Sequence, residues 1–78
     1  MKRTPISRWV EARGHGGKAE LARRVEKITK QAIGHMVLAN RPVVVVEDGS
    51  KIWLEERTPS IRFYGAHAPK APKHNVTK

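Results

Sequence analysis

Apolar positions along this chain follow two rhythms, a helical one from Ile6 to Val37 and a strand-like one from Val43 to Leu54. Thr4-Pro5 reads as a helix start, because Thr can cap and Pro suits the first turn, where its missing N–H has no helical partner anyway. Ile6, Trp9, Val10 and Arg13 follow at i, i+3, i+4 and i+7, drawing one face with three apolar members and predicting a helix over residues 5–13. Gly14-His15-Gly16-Gly17 ends it. A second helical pattern starts near Lys18, with Leu21, Ala22 and Val25 on its buried side and Glu20, Arg23 and Arg24 toward solvent. A third starts at Thr29, a good N-cap residue with Ile28 before it. Its stripe is Ala32, Ile33, Met36 and Val37; the opposite face shows Gln31, Gly34, His35 and Leu38, with Lys30 at the flank. Two short helices with a tight connection between Val25 and Thr29 spell helix-turn-helix, although an ordinary helical hairpin would draw the same stripes.

The chain then changes character. Val43-Val44-Val45-Val46 is a run of β-branched residues, favoured in strands and poor in helices. Asp48-Gly49 is a two-residue hairpin signal, and Lys51-Ile52-Trp53-Leu54-Glu55 is the returning strand. With Asp48-Gly49 as the turn, Val45 faces Ile52 and Val43 faces Leu54 on one side, while Val44 meets Trp53 and Val46 meets Lys51 on the other. Both faces are apolar, and one domain's helices can cover only one of them. The second face, or the strand edge with it, calls for another surface, and homodimerisation through the hairpin is the simplest answer. The alternative is that Trp53 merely covers its own strand neighbours. From Phe63 onward the composition is Gly, Ala, Pro, Lys and His, too poor in large apolar groups to offset the entropy of ordering. The predicted organisation is a folded domain over 1–62 and a basic flexible tail over 63–78.

Composition narrows the partner. The chain has 78 residues, no Cys and a net charge of +9. A core this small usually needs disulfides, a metal or a partner chain to be stable, and without Cys self-association is the expected source. The charge is uneven: residues 1–46 carry +7, residues 47–61 carry −2 and residues 62–78 carry +4. Positive charge concentrated in the N-terminal body and the tail fits a surface that tracks a phosphate backbone. A membrane is not the expected partner, since no apolar run approaches a span, no signal-peptide stretch is present and no segment pairs a basic face with a large apolar one. Catalysis finds no support either. Glu55 and Glu56 are adjacent in a strand and point to opposite faces. His15, His35, His67 and His74 lack metal-ligand spacing, and the HGG before the second helix lacks the Lys-Ser/Thr ending of a phosphate loop. The expectation is therefore no enzyme, no cofactor, no metal and no small-molecule substrate.

The words RTPISRWVEARG, KAELARRV and TKQAIGHMVLANR, then DGS followed by WLEE, occur in this order and at close spacing. In that order the chain resembles the lambda-type phage Cro repressor family over residues 2–60. The resemblance implies an α+β fold: three short helices including the helix-turn-helix, packed on a small three-stranded antiparallel sheet. That sheet would be a short strand near Lys2–Arg3 joined to the C-terminal hairpin. It implies a dimer formed through the last strand, with Trp53, Leu54, Glu55, Ile61 and Phe63 at the interface. It also implies repression of transcription by binding a pseudo-palindromic double-stranded DNA operator, in the cytoplasm of a bacterial host and close to its nucleoid. Family members carry a Gly in the turn between the second and third helices, where Glu26-Lys27 stand here.

The family's base-reading positions fall on Lys30, Gln31, Gly34 and His35. Lys can donate to guanine O6 and N7 and Gln can bond adenine bidentately, whereas Gly34 has no side chain to read with. The DNA backbone would meet Gly17 and Lys18 through N–H groups at the start of the second helix, together with Lys27, Thr29 and Arg41. Arg13 and Arg24 are further candidates, and Lys70, Lys73 and Lys78 of the tail could lie along a groove. Two other uses of such a module stand beside the repressor. One is an antitoxin-like autoregulator with a protein partner; the other is a nonspecific nucleic-acid-binding protein.

Overall fold

A computed structural model describes residues 1–57 and 61–69. The chain opens with strand β1 (Lys2–Pro5) and enters a helical run from Ile6 to Val25. That run consists of α1 (Ile6–Arg13), a 3-10 turn (Gly14–Gly16) and α2 (Gly17–Val25), with no intervening loop residue. Pro5 is the N-cap of α1 and makes no side-chain cap, and Thr4 belongs to β1 opposite Val45. A second helix, α3 (Lys30–Leu38), follows a four-residue connection. Strands β2 (Val43–Asp48), β3 (Lys51–Glu56) and β4 (Arg62–Tyr64) complete an antiparallel sheet of order β1-β2-β3-β4.

The expected architecture, three separate helices on a three-stranded sheet, is corrected on both counts. The GHGG stretch does end α1, Gly14 standing as its C-cap at φ +71°, but a 3-10 turn and not a loop then leads directly into α2. The sheet gains a fourth strand because Arg62-Phe63-Tyr64 pairs with β3, Phe63 opposite Glu55 and Tyr64 opposite Leu54. Aromatic residues favour such a half-buried, pleated position. The expected boundary between residues 62 and 63 thus falls inside a strand. Beyond it, the Ala66 N–H bonds the Val25 carbonyl at 3.0 Å, tying the chain to the end of α2. Lys70, Lys73 and Lys78 lie outside the described residues.

The hairpin register also differs from the expected one. Asp48 pairs with Lys51, Val46 with Trp53 and Val45 with Leu54, so Gly49-Ser50 and not Asp48-Gly49 forms the turn. Gly49 has φ +63°, which suits the first central position of a II′ turn. A shift of two in the pairing preserves the face of every side chain. Val43, Val45, Ile52 and Leu54 therefore still face the helices, where they pack with Ile6, Trp9, Val10, Leu21, Val25, Ile33 and Met36.

Local chemistry fixes the two ends of α3. Thr29 Oγ1 accepts a hydrogen bond from the Ala32 N–H at 3.0 Å, the N-cap its position suggested. At the other end Asn40 adopts φ +55°, while Asn40 N–H bonds the Val37 carbonyl and Arg41 N–H the Met36 carbonyl. This is the Schellman arrangement, with Asn in the place more often held by Gly.

Candidate nucleic-acid interface

The outward face of α3 is the surface on which the expected base readers meet. Lys30, Gln31 and His35 are exposed, while Ile33 and Met36 on the opposite side anchor the helix in the core. Gly34 lies between Gln31 and His35, and a Cβ built on it would sit 3.7 Å from Lys18 Cδ. The aliphatic stem of Lys18 therefore lies against α3 although its own helix is α2. Lys18 and Lys30 line one groove of about 530 Å³, together with His15, Gly14, Glu11 and Val10. Gly17, at the first position of α2, is buried against α1, with its would-be Cβ only 2.6 Å from the Val10 carbonyl oxygen. Glycine here lets α1 and α2 approach closely enough to form this groove.

The connection that aims α3 is strained. Glu26 has φ +64° and ψ +159°, and Lys27 has φ +59°. These are the positions where the resembling family has Gly, and two side-chain-bearing residues adopt left-handed backbone there. Lys27 is exposed in this turn, next to the Thr29 cap.

Ion pairing divides the cations into two groups. Arg24 lies 3.9 Å from both Glu20 and Glu47, and Arg13 lies 3.7 Å from Glu20 with its guanidinium 3.6 Å from the Trp9 ring centroid. Arg3 and Arg57 both pair with Glu55. Arg41, expected at the DNA backbone, is committed to Glu56 and Tyr64. Its pKa is raised, first by the hydrogen bond to Glu56, and that of Glu56 is lowered, first by the hydrogen bond from Arg41. Among the described residues, Lys18, Lys27 and Lys30 enter no ion pair. The long-range pairs, Arg3 with Glu55, Arg24 with Glu47 and Arg41 with Glu56, were not legible in the sequence, because each joins elements that only the fold brings together.

The expected dimer residues divide as well. Leu54 is fully buried in the chain's own core, and Trp53 and Glu55 are 7% and 5% exposed. Within one chain these three side chains are nearly covered, and β4 pairs with the edge of β3. Ile61, 46% exposed, and half-buried Phe63 flank or belong to the new edge strand. Glu55 and Glu56 point to opposite faces of β3, toward Arg3 and Arg57 on one side and Arg41 and Tyr64 on the other.

An apolar groove of about 310 Å³ beside the C-terminal end of α3, lined by Ile6, Met36, Val37 and Val43, lies away from these lysines. Its one cation is Arg41, already held by Glu56. Among the described residues no helix is long and apolar enough to cross a membrane. Comparison of the chain with protein-family models, curated proteins and solved structures returned no match.

Proposed function

We propose that this chain is a sequence-specific double-stranded-DNA-binding transcriptional repressor, a Cro-like phage regulator whose α3 enters the major groove of a pseudo-palindromic operator. The observation that carries this reading is the division of cations. Five of the eight described arginines pair with carboxylates within the fold, whereas Lys18, Lys27 and Lys30, in no ion pair, lie beside or on the helix whose exposed face bears Gln31 and His35. A helix fits the major groove, and residues near its N-terminus and on its outward face reach base edges. Lys30 and Gln31 occupy the first turn of α3 and His35 the next, so these three are the base readers. Lys18, Lys27 and Thr29 serve the phosphates, Lys18 and Lys27 by charge; Gly17, expected among them, is buried and its N–H already bonds the Gly14 carbonyl. Arg41 is left out of that set because its Nε and Nη2 are held by Glu56 and Tyr64 and its charge is paired with Glu56.

The operator-bound form is a homodimer joined along β4, with Ile61 and Phe63 supplying apolar contact. It acts in the cytoplasm of a bacterial host, against the nucleoid. The deciding experiment is selection of bound duplexes from a random DNA library at about 0.2 M salt, where binding by phosphate contacts alone is weakened. Enrichment of a short inverted repeat with half-sites about one helical turn apart supports the reading. Persistence of low-salt binding with no enriched motif overturns it in favour of a general nucleic-acid binder.

A further inference from the structure

We propose that Leu38 is a specificity-determining residue that recognises a thymine through its C5-methyl group. The inference rests on the reading of α3 as the DNA-reading helix and adds a contact that hydrogen bonding cannot supply. Leu38 is 87% exposed, the most exposed large apolar side chain among the described residues. The other two, Met1 and Ile61, lie outside the helices. The core-facing residues of α3, Ile33 and Met36, leave Leu38 on the opposite side with Gln31 and His35.

Position along the helix gives this exposure a direction. Leu38 follows Gln31 by seven residues, which places it on nearly the same bearing and about 10 Å further along the axis. That distance matches roughly three base-pair steps of 3.4 Å. Gly34 stands between them without a side chain, and a Cβ built there would meet the stem of Lys18 at 3.7 Å. The stripe therefore runs from polar to apolar: Lys30 and Gln31 at one end, Gly34 with the Lys18 stem beside it in the middle, and Leu38 at the far end. In the major groove thymine alone among the four bases presents a methyl group, so an apolar side chain there distinguishes thymine without any donor or acceptor.

The test uses the operator obtained from the duplex selection and replaces each thymine in turn with deoxyuridine, which lacks only the methyl. Dissociation constants are measured for the full-length protein and for Leu38→Ala. At one thymine in each half-site, uracil should weaken binding of the unaltered protein about 4-fold, as expected for one methyl group left exposed. Leu38→Ala should bind thymine and uracil versions equally, while its thermal unfolding is unchanged because the side chain is exposed. A motif whose uracil scan is flat overturns this proposal and leaves the repressor reading intact. So does a thymine-to-uracil difference that survives in Leu38→Ala. Failure of the selection to yield any motif overturns both.

Discussion

Arg41 grips Glu56 through two hydrogen bonds, Nε to Oε2 at 2.9 Å and Nη2 to Oε1 at 2.6 Å, and the Tyr64 hydroxyl donates to Oε1 at 3.0 Å. The pair joins the end of α3 to β3, and Tyr64 brings in β4. One cluster thus fixes the exit of the candidate reading helix against the sheet. The forked geometry is the strong form of such a contact, and burial of Glu56 shields it from water.

The Glu56 pKa lies below its ordinary 4.5, chiefly because of the hydrogen bond from Arg41. A carboxylate with a lowered folded-state value stabilises the fold fully above its unfolded value. That contribution is lost as pH falls through the folded value. Glu56→Gln should lower Tm at pH 7 by roughly 5–10 °C, and the gap to the unaltered protein should close as pH drops below 4.5. Thermal melts followed by circular dichroism between pH 2 and 7 measure this. A gap that stays constant would show that the carboxylate's charge is not what matters.

The strained turn before α3 predicts a stabilising substitution. Glu26 occupies backbone space that is essentially reserved for glycine, at a cost of about 1–3 kcal/mol. Glycine would relieve that strain while adding about 0.5–1 kcal/mol of unfolded-state freedom to be lost. Glu26→Gly should therefore gain about 1 kcal/mol, raising Tm by roughly 4–8 °C. Urea titration gives the free energy directly, and a lower midpoint would contradict the account.

Two neighbouring glycines should respond oppositely to alanine. At Gly17 the new methyl would meet the backbone oxygen of Val10 at 2.6 Å, so α1 and α2 must part, costing about 1–3 kcal/mol. At Gly34 it would touch only the flexible stem of Lys18 at 3.7 Å, and better helix propensity should add about 0.8–1 kcal/mol. Urea midpoints that fall for Gly17→Ala and rise for Gly34→Ala would support the close packing of α1 on α2. Equal effects would not.

Those contrasts also show what a sequence carries and what it leaves open. The Thr29 cap is visible because a capping side chain acts on its own neighbours, and strand faces are visible because side chains alternate with a period of two. Hairpin register is not: Asp48-Gly49 and Gly49-Ser50 are both acceptable turns, and choosing between them leaves every face unchanged. The break at Gly14 was legible because glycine-rich stretches end helices, but the 3-10 turn that leads on into α2 without a loop was not. Strand β4 is only three residues long and opens into a Gly-, Ala- and Pro-rich stretch, so its pairing depends on the edge of β3. For the candidate site, exposure of Lys30, Gln31 and His35 followed from the helical period. The engagement of Arg41 depended on a tertiary partner that no local pattern announces.

With β4 covering β3, self-association should depend on the new edge and its apolar flank. Ile61→Glu introduces a charge at a residue that is 46% exposed and outside the core, so the fold should persist. Sedimentation at micromolar concentration should show the variant shifted toward monomer by at least a tenfold weaker dimer, equivalent to about 1.4 kcal/mol. An identical concentration dependence for both proteins would exclude the β4 edge.

Finally, Gln31 and Lys18 should fail in different ways. Gln31 is exposed and stands in the first turn of α3, where its amide can bond one adenine edge through two hydrogen bonds. Gln31→Ala should weaken the best operator by about 1–3 kcal/mol while binding to unrelated duplex stays nearly constant. Lys18 carries an unpaired charge whose stem is braced against Gly34, which suits a phosphate better than a base. Lys18→Ala should weaken operator and unrelated duplex alike, and should reduce the slope of log K against log salt by about 1. Titrations of both variants on both duplexes at two or more salt concentrations separate the roles. Uniform loss for Gln31→Ala would remove it from the base readers, and an unchanged slope for Lys18→Ala would remove it from the phosphate contacts.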